Sequence, residues 1–218
     1  MFFQYGETEI YYLKNKDKIL GSAIDKIGHI ERSVDIDLFS SIIRHIIGQQ
    51  ISISAQKTIW KRMTDKLGMV TCDSICNLSI EEIQIFGMTF KKAEYIKEFS
   101  SKIKSGEFDI DNVRNLSDNE IINELSRLKG IGQWTAEMIM IFCLQRQDIL
   151  SYNDLAIQRG LRMLYHHRTI NKRTFEKYRR RYSPYCTVAS LYLWSISSGI
   201  IEGMKDYIPG KKRGKNDR

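Results

Sequence analysis

Only two prolines, Pro184 and Pro209, occur in the 218 residues, so no fixed φ or missing N–H interrupts helical patterns before the last part of the chain. Long helical patterns do run through it. Leu38, Phe39, Ile42, Ile43, Ile46 and Ile47 recur at spacings of three and four and mark one apolar stripe. Gly48 ends that helix, and Ser52 or Ser54 caps the next, which carries Ala55, Ile59 and Met63. The same reasoning predicts helices over 79–86, 90–104, 118–128, 133–145, 154–165, 171–181 and 185–199. Ser79 with Glu82, and Ser117 with Glu120, have capping-box spacing. Residues 2–13 alternate loosely and read as a short strand or an extended arm. The expected fold class is all-α.

Hydrophobic residues make up 42% and charged residues 28%, enough apolar material for one large domain or two small ones. Lys and Arg total 34 against 26 for Asp and Glu, giving a net charge of +8 and a pI near 9.2. Such an excess suits a polyanionic partner, because each neutralised phosphate releases condensed counterions, although it serves solubility equally well. Cys72, Cys76, Cys143 and Cys186 lack the spacing of a zinc or iron–sulfur set and read as free thiols in a reducing compartment. The N-terminus has no basic-then-apolar signal, and no stretch reaches the length of a membrane span. The expected location is cytoplasmic, or with the nucleoid in a bacterium.

The sharpest local signal is Leu128-Lys129-Gly130-Ile131-Gly132-Gln133-Trp134-Thr135-Ala136. A helix with Ile121, Ile122, Leu125 and Leu128 on one face runs into Gly130-Ile131-Gly132, and a second helix begins at Gln133 or Trp134 and buries Ala136 and Ile139. Glycines permit positive φ and close approach of backbone N–H groups to a ligand. The new helix start adds unpaired N–H donors and a positive dipole end, a geometry that holds phosphate. Ile131 would pin the turn to the core. The same Gly-x-Gly also suits a plain turn between two helices with glycine at a C-cap.

Here the chain resembles the helix-hairpin-helix (HhH-GPD) DNA glycosylase superfamily, most closely its 3-methyladenine DNA glycosylase II branch. The family hairpin reads Leu-Pro-Gly-Ile-Gly-x-Trp-Thr-Ala; Lys129 replaces the usual proline and adds a cation beside the phosphate site. After the hairpin the family places its catalytic aspartate in a short Asp-Asp-Leu-like turn, and Ser151-Tyr-Asn-Asp-Leu155 stands at that place. The segment from Phe39 to Ser52 is similar to the family's first core helix and its Gly-Gln-x-x-Ser turn. Tyr185 to Trp194 is similar to its late helix ending in Leu-Trp. The segment before residue 36 is too short for the large N-terminal β-domain of some relatives.

The resemblance implies two helical lobes, a helix-hairpin-helix motif, and an active site in the cleft between the lobes. One lobe takes residues 36–144 with the hairpin motif at 117–145; the other takes 1–35 plus 145–204. Residues 205–218 form a basic, flexible tail with six Lys/Arg against two Asp. Asp154 is implied as the catalytic carboxylate, stabilising positive charge that builds on the sugar and orienting the attacking water. An aspartate at that place also caps a helix, and the two roles are compatible. Gln50 is implied as the side chain that fills the void left by an extruded nucleotide, although a Gln there also satisfies a helix end. Trp134 and Trp194 match aromatic pocket positions; both also serve as core aromatics. Met138 replaces a pocket Tyr of some relatives and leaves the lesion open. Gly130, Ile131, Gly132 and Lys129 form the phosphate site. Bifunctional relatives carry a nucleophilic Lys where this chain has Trp134, which implies base hydrolysis without strand cleavage.

The reading is therefore a monofunctional glycosylase for alkylated bases of the 3-methyladenine type, acting as a monomer on double-stranded DNA, away from any membrane. It requires no cofactor and no structural metal; the one ion it allows is a monovalent or divalent cation bound by hairpin carbonyls when DNA is present. Two alternatives stand beside it: a glycosylase for uracil or a deaminated purine, and a non-catalytic hairpin module. The basic stretches Lys172–Arg181 and Lys91-Lys92 either contact the DNA backbone or are solvated faces.

Overall fold

A computed structural model describes residues 1–208. In chain order the helices are α1 (Glu7–Lys16), α2 (Lys18–Ile27), α3 (Leu38–Gly48), α4 (Ile53–Leu67), α5 (Cys72–Cys76) and α6 (Ile80–Gln84). They continue as α7 (Phe90–Lys104), a 3₁₀ turn at Asn112–Asn115, α8 (Asp118–Ser126), α9 (Gln133–Phe142), α10 (Leu155–Tyr165), α11 (Lys172–Tyr182) and α12 (Cys186–Ser197). Among the described residues the only β-type pairing is an isolated bridge between Phe2 and Ser33, so the chain is all-α. All four cysteines are free thiols.

The expected strand or arm over 2–13 is instead mostly helix α1. The Gly6 N–H donates to the Glu9 carboxylate at 2.8 Å, one half of a capping box, and Glu7 and Glu9 open the helix while Lys14 and Lys16 close it. That order of charges complements the helix dipole, and Leu13 is fully buried. Loose alternation over so short a span did not distinguish the two periods.

The described residues divide into two compact units, Met1–Phe3 with Ser33–Arg146, and Gln4–Arg32 with 147–208. In the first unit the stripe of α3 is realised in full: Ile42, Ile43, Ile46 and Ile47 are completely buried, and α3 packs on α4, α7 and α9. Ser52 caps α4 by accepting from the Ala55 N–H at 3.2 Å. Ser79 and Glu82 exchange both capping-box bonds, at 2.7 and 3.2 Å. The Glu120 carboxylate takes both the N–H and the hydroxyl of Ser117. Helix α9 is buried continuously from Thr135 to Ile141.

In the second unit α12 is the centre, buried from Cys186 to Leu193, with α10, α11, α1 and α2 against it. Asp17, only 4% exposed, is its polar anchor. Its Oδ1 accepts from the N–H groups of Ile19 and Leu20, while Oδ2 accepts from the Tyr165 hydroxyl and from Arg181, at 2.7 and 2.6 Å. Burial, with Tyr182 and Asp17 adjacent, pushes the Tyr165 phenol far above its ordinary range, so it stays a donor. Residues 205–208 open the segment expected to be flexible, yet Arg162 holds Asp206 through two bonds of 2.7 Å. The rest of that segment, 209–218, lies outside the described residues.

Helices α10 and α12 approach so closely that a Cβ on Gly160 would sit 2.4 Å from the Leu193 carbonyl oxygen. Gly160→Ala is therefore expected to lower stability by about 1–3 kcal/mol through overpacking. Urea unfolding measures this, and an unchanged midpoint would mean that the two helices separate without cost.

Candidate functional site

The hairpin joins α8 to α9 in the first unit. Leu128 and Ile131 are both buried, and the Ile131 N–H donates to the Leu128 carbonyl at 3.0 Å, so the turn is pinned from below as its sequence suggested. The two glycines do different things. Gly130 has φ +86, and a Cβ there would fall 2.6 Å from Cδ2 of Tyr95. Gly132 has an ordinary φ of −93, is the N-cap of α9, and faces open space. Positive φ is thus required only at Gly130, while Gly132 leaves the helix start without a side chain in front of it. No side chain caps α9, so the positive end of its dipole starts directly at Gly132. Lys129, expected as a cation beside that site, forms an ion pair with Glu98 at 2.8 Å, and Glu98 raises its pKa.

Gln50 sits in the turn between α3 and α4. It is exposed and takes the left-handed φ of +57. Its neighbour Gln49 donates from Nε2 to the Gly130 carbonyl, so the Gln50 turn and the hairpin touch directly. Lys92 donates to the carbonyls of Ile47 and Gln49 at 2.8 and 2.6 Å. Lys92 is therefore bound to protein carbonyls, and burial lowers its pKa. The partners of Gln49, Lys92 and Tyr95 are not visible in the sequence, because each lies far along the chain.

Trp134, in the first turn of α9, is 43% exposed, too much for a core aromatic. Met138 lies one turn later on the same face and is buried. Glu137, also buried, accepts from Gln133 at 2.9 Å. In the second unit Trp194 is partly buried in α12. Asp154 is the N-cap of α10: its Oδ1 accepts from the N–H groups of Ala156 and Ile157, both at 2.9 Å, and the residue is 6% exposed. The turn before it is tied down by Gln158, whose amide donates to the Tyr152 carbonyl at 2.6 Å. The capping role of Asp154 is thus present in the fold, and it fixes a carboxylate with two backbone bonds. The first unit carries the hairpin, Gln50, Trp134 and Met138; the second carries Asp154 and Trp194. Among the described residues no group of three or more His, Cys, Asp or Glu side chains is placed to hold a metal ion. None of their helices is long and apolar enough to cross a membrane.

The family model described as "HhH-GPD superfamily base excision DNA repair protein" matches residues 43–184. The chain belongs to this superfamily. A crystal structure of a DNA-3-methyladenine glycosidase from Bacillus halodurans superposes with a TM-score of 0.83 at 30% identity, covering 94% of this chain and 95% of that one. The 3-methyladenine DNA glycosylase Mag1 of Schizosaccharomyces pombe, in complex with abasic DNA, superposes with a TM-score of 0.76 at 26% identity over 88% of this chain and 97% of that one. DNA-3-methyladenine glycosylase 1 of Schizosaccharomyces pombe is 29% identical over 164 residues, 73% of this chain and 72% of its own.

The glycine contrast in this HhH-GPD hairpin is measurable. Gly130→Ala, strained in backbone and crowded by Tyr95, is expected to lose about 1–3 kcal/mol of folding stability. Gly132→Ala is expected to lose under about 1 kcal/mol, the difference between Gly and Ala at an N-cap. Equal losses in urea unfolding would contradict the assignment of roles.

Proposed function

We propose that this chain is a monofunctional DNA glycosylase that extrudes alkylated bases of the 3-methyladenine type from double-stranded DNA and hydrolyses their N-glycosidic bonds in base excision repair. The observation that carries the reading is Asp154: a buried carboxylate fixed by two backbone N–H groups at the start of α10, in a chain similar along nearly its whole length to a DNA-3-methyladenine glycosidase.

The chemistry follows from the groups. The N–H donors of the hairpin and of the first turn of α9 hold a backbone phosphate, and Gln50 enters the space left by the rotated nucleotide. Trp134, Met138 and Trp194 line the base; an indole face attracts the formal positive charge of an alkylated purine. As the C1′–N bond breaks, the base departs with the bonding electron pair and becomes neutral, so no general acid is needed. Positive charge then develops on the sugar, and the Asp154 carboxylate stabilises it. Water forms the new C1′–O bond and gives its proton to Asp154. The enzyme needs no cofactor for this and acts as a monomer in the compartment that holds DNA. A monovalent or divalent cation would be held by hairpin carbonyls such as those of Leu128 and Gly130, and would add positive charge beside the phosphate.

Duplexes carrying single defined lesions, followed by alkali, test the reading: 3-methyladenine-type sites are expected to yield alkali-labile abasic sites. Asp154→Asn keeps a cap of equal quality, so stability should change by less than about 0.5 kcal/mol while single-turnover base release falls about 10²–10⁴-fold. Full activity in that variant would remove Asp154 from the mechanism.

Trp134 offers no amine at the position where bifunctional relatives carry their nucleophile, so the proposed reaction proceeds without a Schiff base. Borohydride should trap no protein–DNA adduct, and strands should break only after alkali; a trapped adduct would make the enzyme a lyase.

A further inference from the structure

One face of α7, at residues 92, 95 and 98, meets both structures assigned to DNA. Lys92 donates to the carbonyls of Ile47 and Gln49 at the end of α3. The ring of Tyr95 lies against Gly130 at the hairpin, and Glu98 pairs with Lys129 beside it. Helix α3 ends without a left-handed glycine cap: its C-cap is Gln49, in extended backbone at φ −61 and ψ 129. The ammonium of Lys92 therefore does the work of a cap, satisfying carbonyls at the negative end of the α3 dipole. Gln49 continues the chain of contacts. Its carbonyl is held by Lys92, and its side-chain amide donates to the Gly130 carbonyl. The next residue, Gln50, is a non-glycine held at φ +57, a backbone state that persists only where its surroundings impose it.

We propose that Lys92 is a positioning residue for nucleotide extrusion: through Gln49 it fixes the offset between the Gln50 turn and the phosphate-holding hairpin. This rests on the glycosylase reading for its purpose, but its geometry lies wholly within the first unit. Extrusion needs the phosphate grip and the void-filling side chain at one fixed separation, and a misplacement of about 1 Å is enough to cost about 10²-fold in rate. A lysine bridging two carbonyls with its charge desolvated is a stiff link of this kind, because both bonds are charge-assisted.

Hydrogen exchange on the free protein tests the link without substrate. Lys92→Met, which removes both charge-assisted bonds, is expected to speed exchange in 48–52 and in 130–133 together, by about tenfold or more, while α10 and α12 keep their rates. Gln49→Ala spares the Lys92 bond to Ile47 and should loosen 130–133. Faster exchange at 48–52 alone, or throughout the chain, overturns the proposal.

The functional arm compares base release from the same lesion in duplex and in single strand. Lys92→Met should slow the duplex reaction about tenfold and the single-strand reaction, where no void needs filling, by less than about twofold; Lys92→Arg, which keeps charged donors, should restore the duplex rate. In a double-mutant cycle, adding Lys92→Met to Gln50→Ala should cost less than about twofold more, because both act on one step. Equal losses on both substrates, or full additivity, would show Lys92 to be merely structural. If the unaltered protein releases no base from any lesion, the glycosylase reading fails, and hydrogen exchange still decides the link.

Discussion

A helix that lends its first turn to an external anion has to leave those N–H groups without an internal partner. Most helices of this chain do the opposite: Asp17, Asp37, Ser52, Thr71, Thr89 and Asn171 each cap theirs with a side-chain oxygen. Helix α9 starts from Gly132 with no side-chain cap. Leaving out a cap costs about 1 kcal/mol, and the continuous burial of Thr135–Ile141 offsets that many times over. Buried Ile131 and Leu128 then hold the exposed turn against the core. The hairpin is stable because its cost is met by apolar packing directly beneath it.

Asp154 solves the converse problem. A carboxylate that serves chemistry has to be ordered and shielded, and an unpaired buried charge would be expensive. Capping α10 supplies two backbone donors to the same group, so one residue both starts a helix and presents a fixed carboxylate. The helix it starts is immobilised in turn, because Gly160 lets α10 lie directly on the Leu193 carbonyl of α12. The placement of the Asp154 carboxylate therefore depends on a glycine within α10, Gly160, that lies against α12.

What could be read in advance follows the range of each interaction. The stripe of α3 and the Ser79–Glu82 box are local, and both formed as their spacing predicted. Helix α1 was missed because Ile10 and Leu13 supply too few apolar positions to set a period, and its start depends on the Gly6–Glu9 bond. Helix α5 is five residues long and owes its existence to the Thr71–Ser74 box and to packing on α7. In the candidate site, the hairpin turn and the Asp154 cap formed where their contiguous motifs placed them, while their roles toward DNA are part of the proposal. In sequence Lys92 reads as a DNA-backbone contact or a solvated cation, because its partners lie 43 and 45 residues away, and the Gln49 bond to Gly130 spans 81. Lys129 looked like a free cation because Glu98 is remote in sequence.

The identity of residue 134 shows how little of such a scaffold has to change for its chemistry to differ. It stands in the first turn of α9, half-exposed, at the positive end of the helix dipole. An amine placed there would be biased toward its neutral, nucleophilic form by that dipole, the requirement for covalent attack on a sugar carbon. An indole at the same backbone position keeps the helix start, the uncapped donors and the turn, and offers an aromatic face instead. In the proposed mechanism no amine stands at residue 134, and catalysis rests on charge stabilisation by a carboxylate and activation of water. That suits substrates whose base already departs as a good leaving group, the class proposed for this chain.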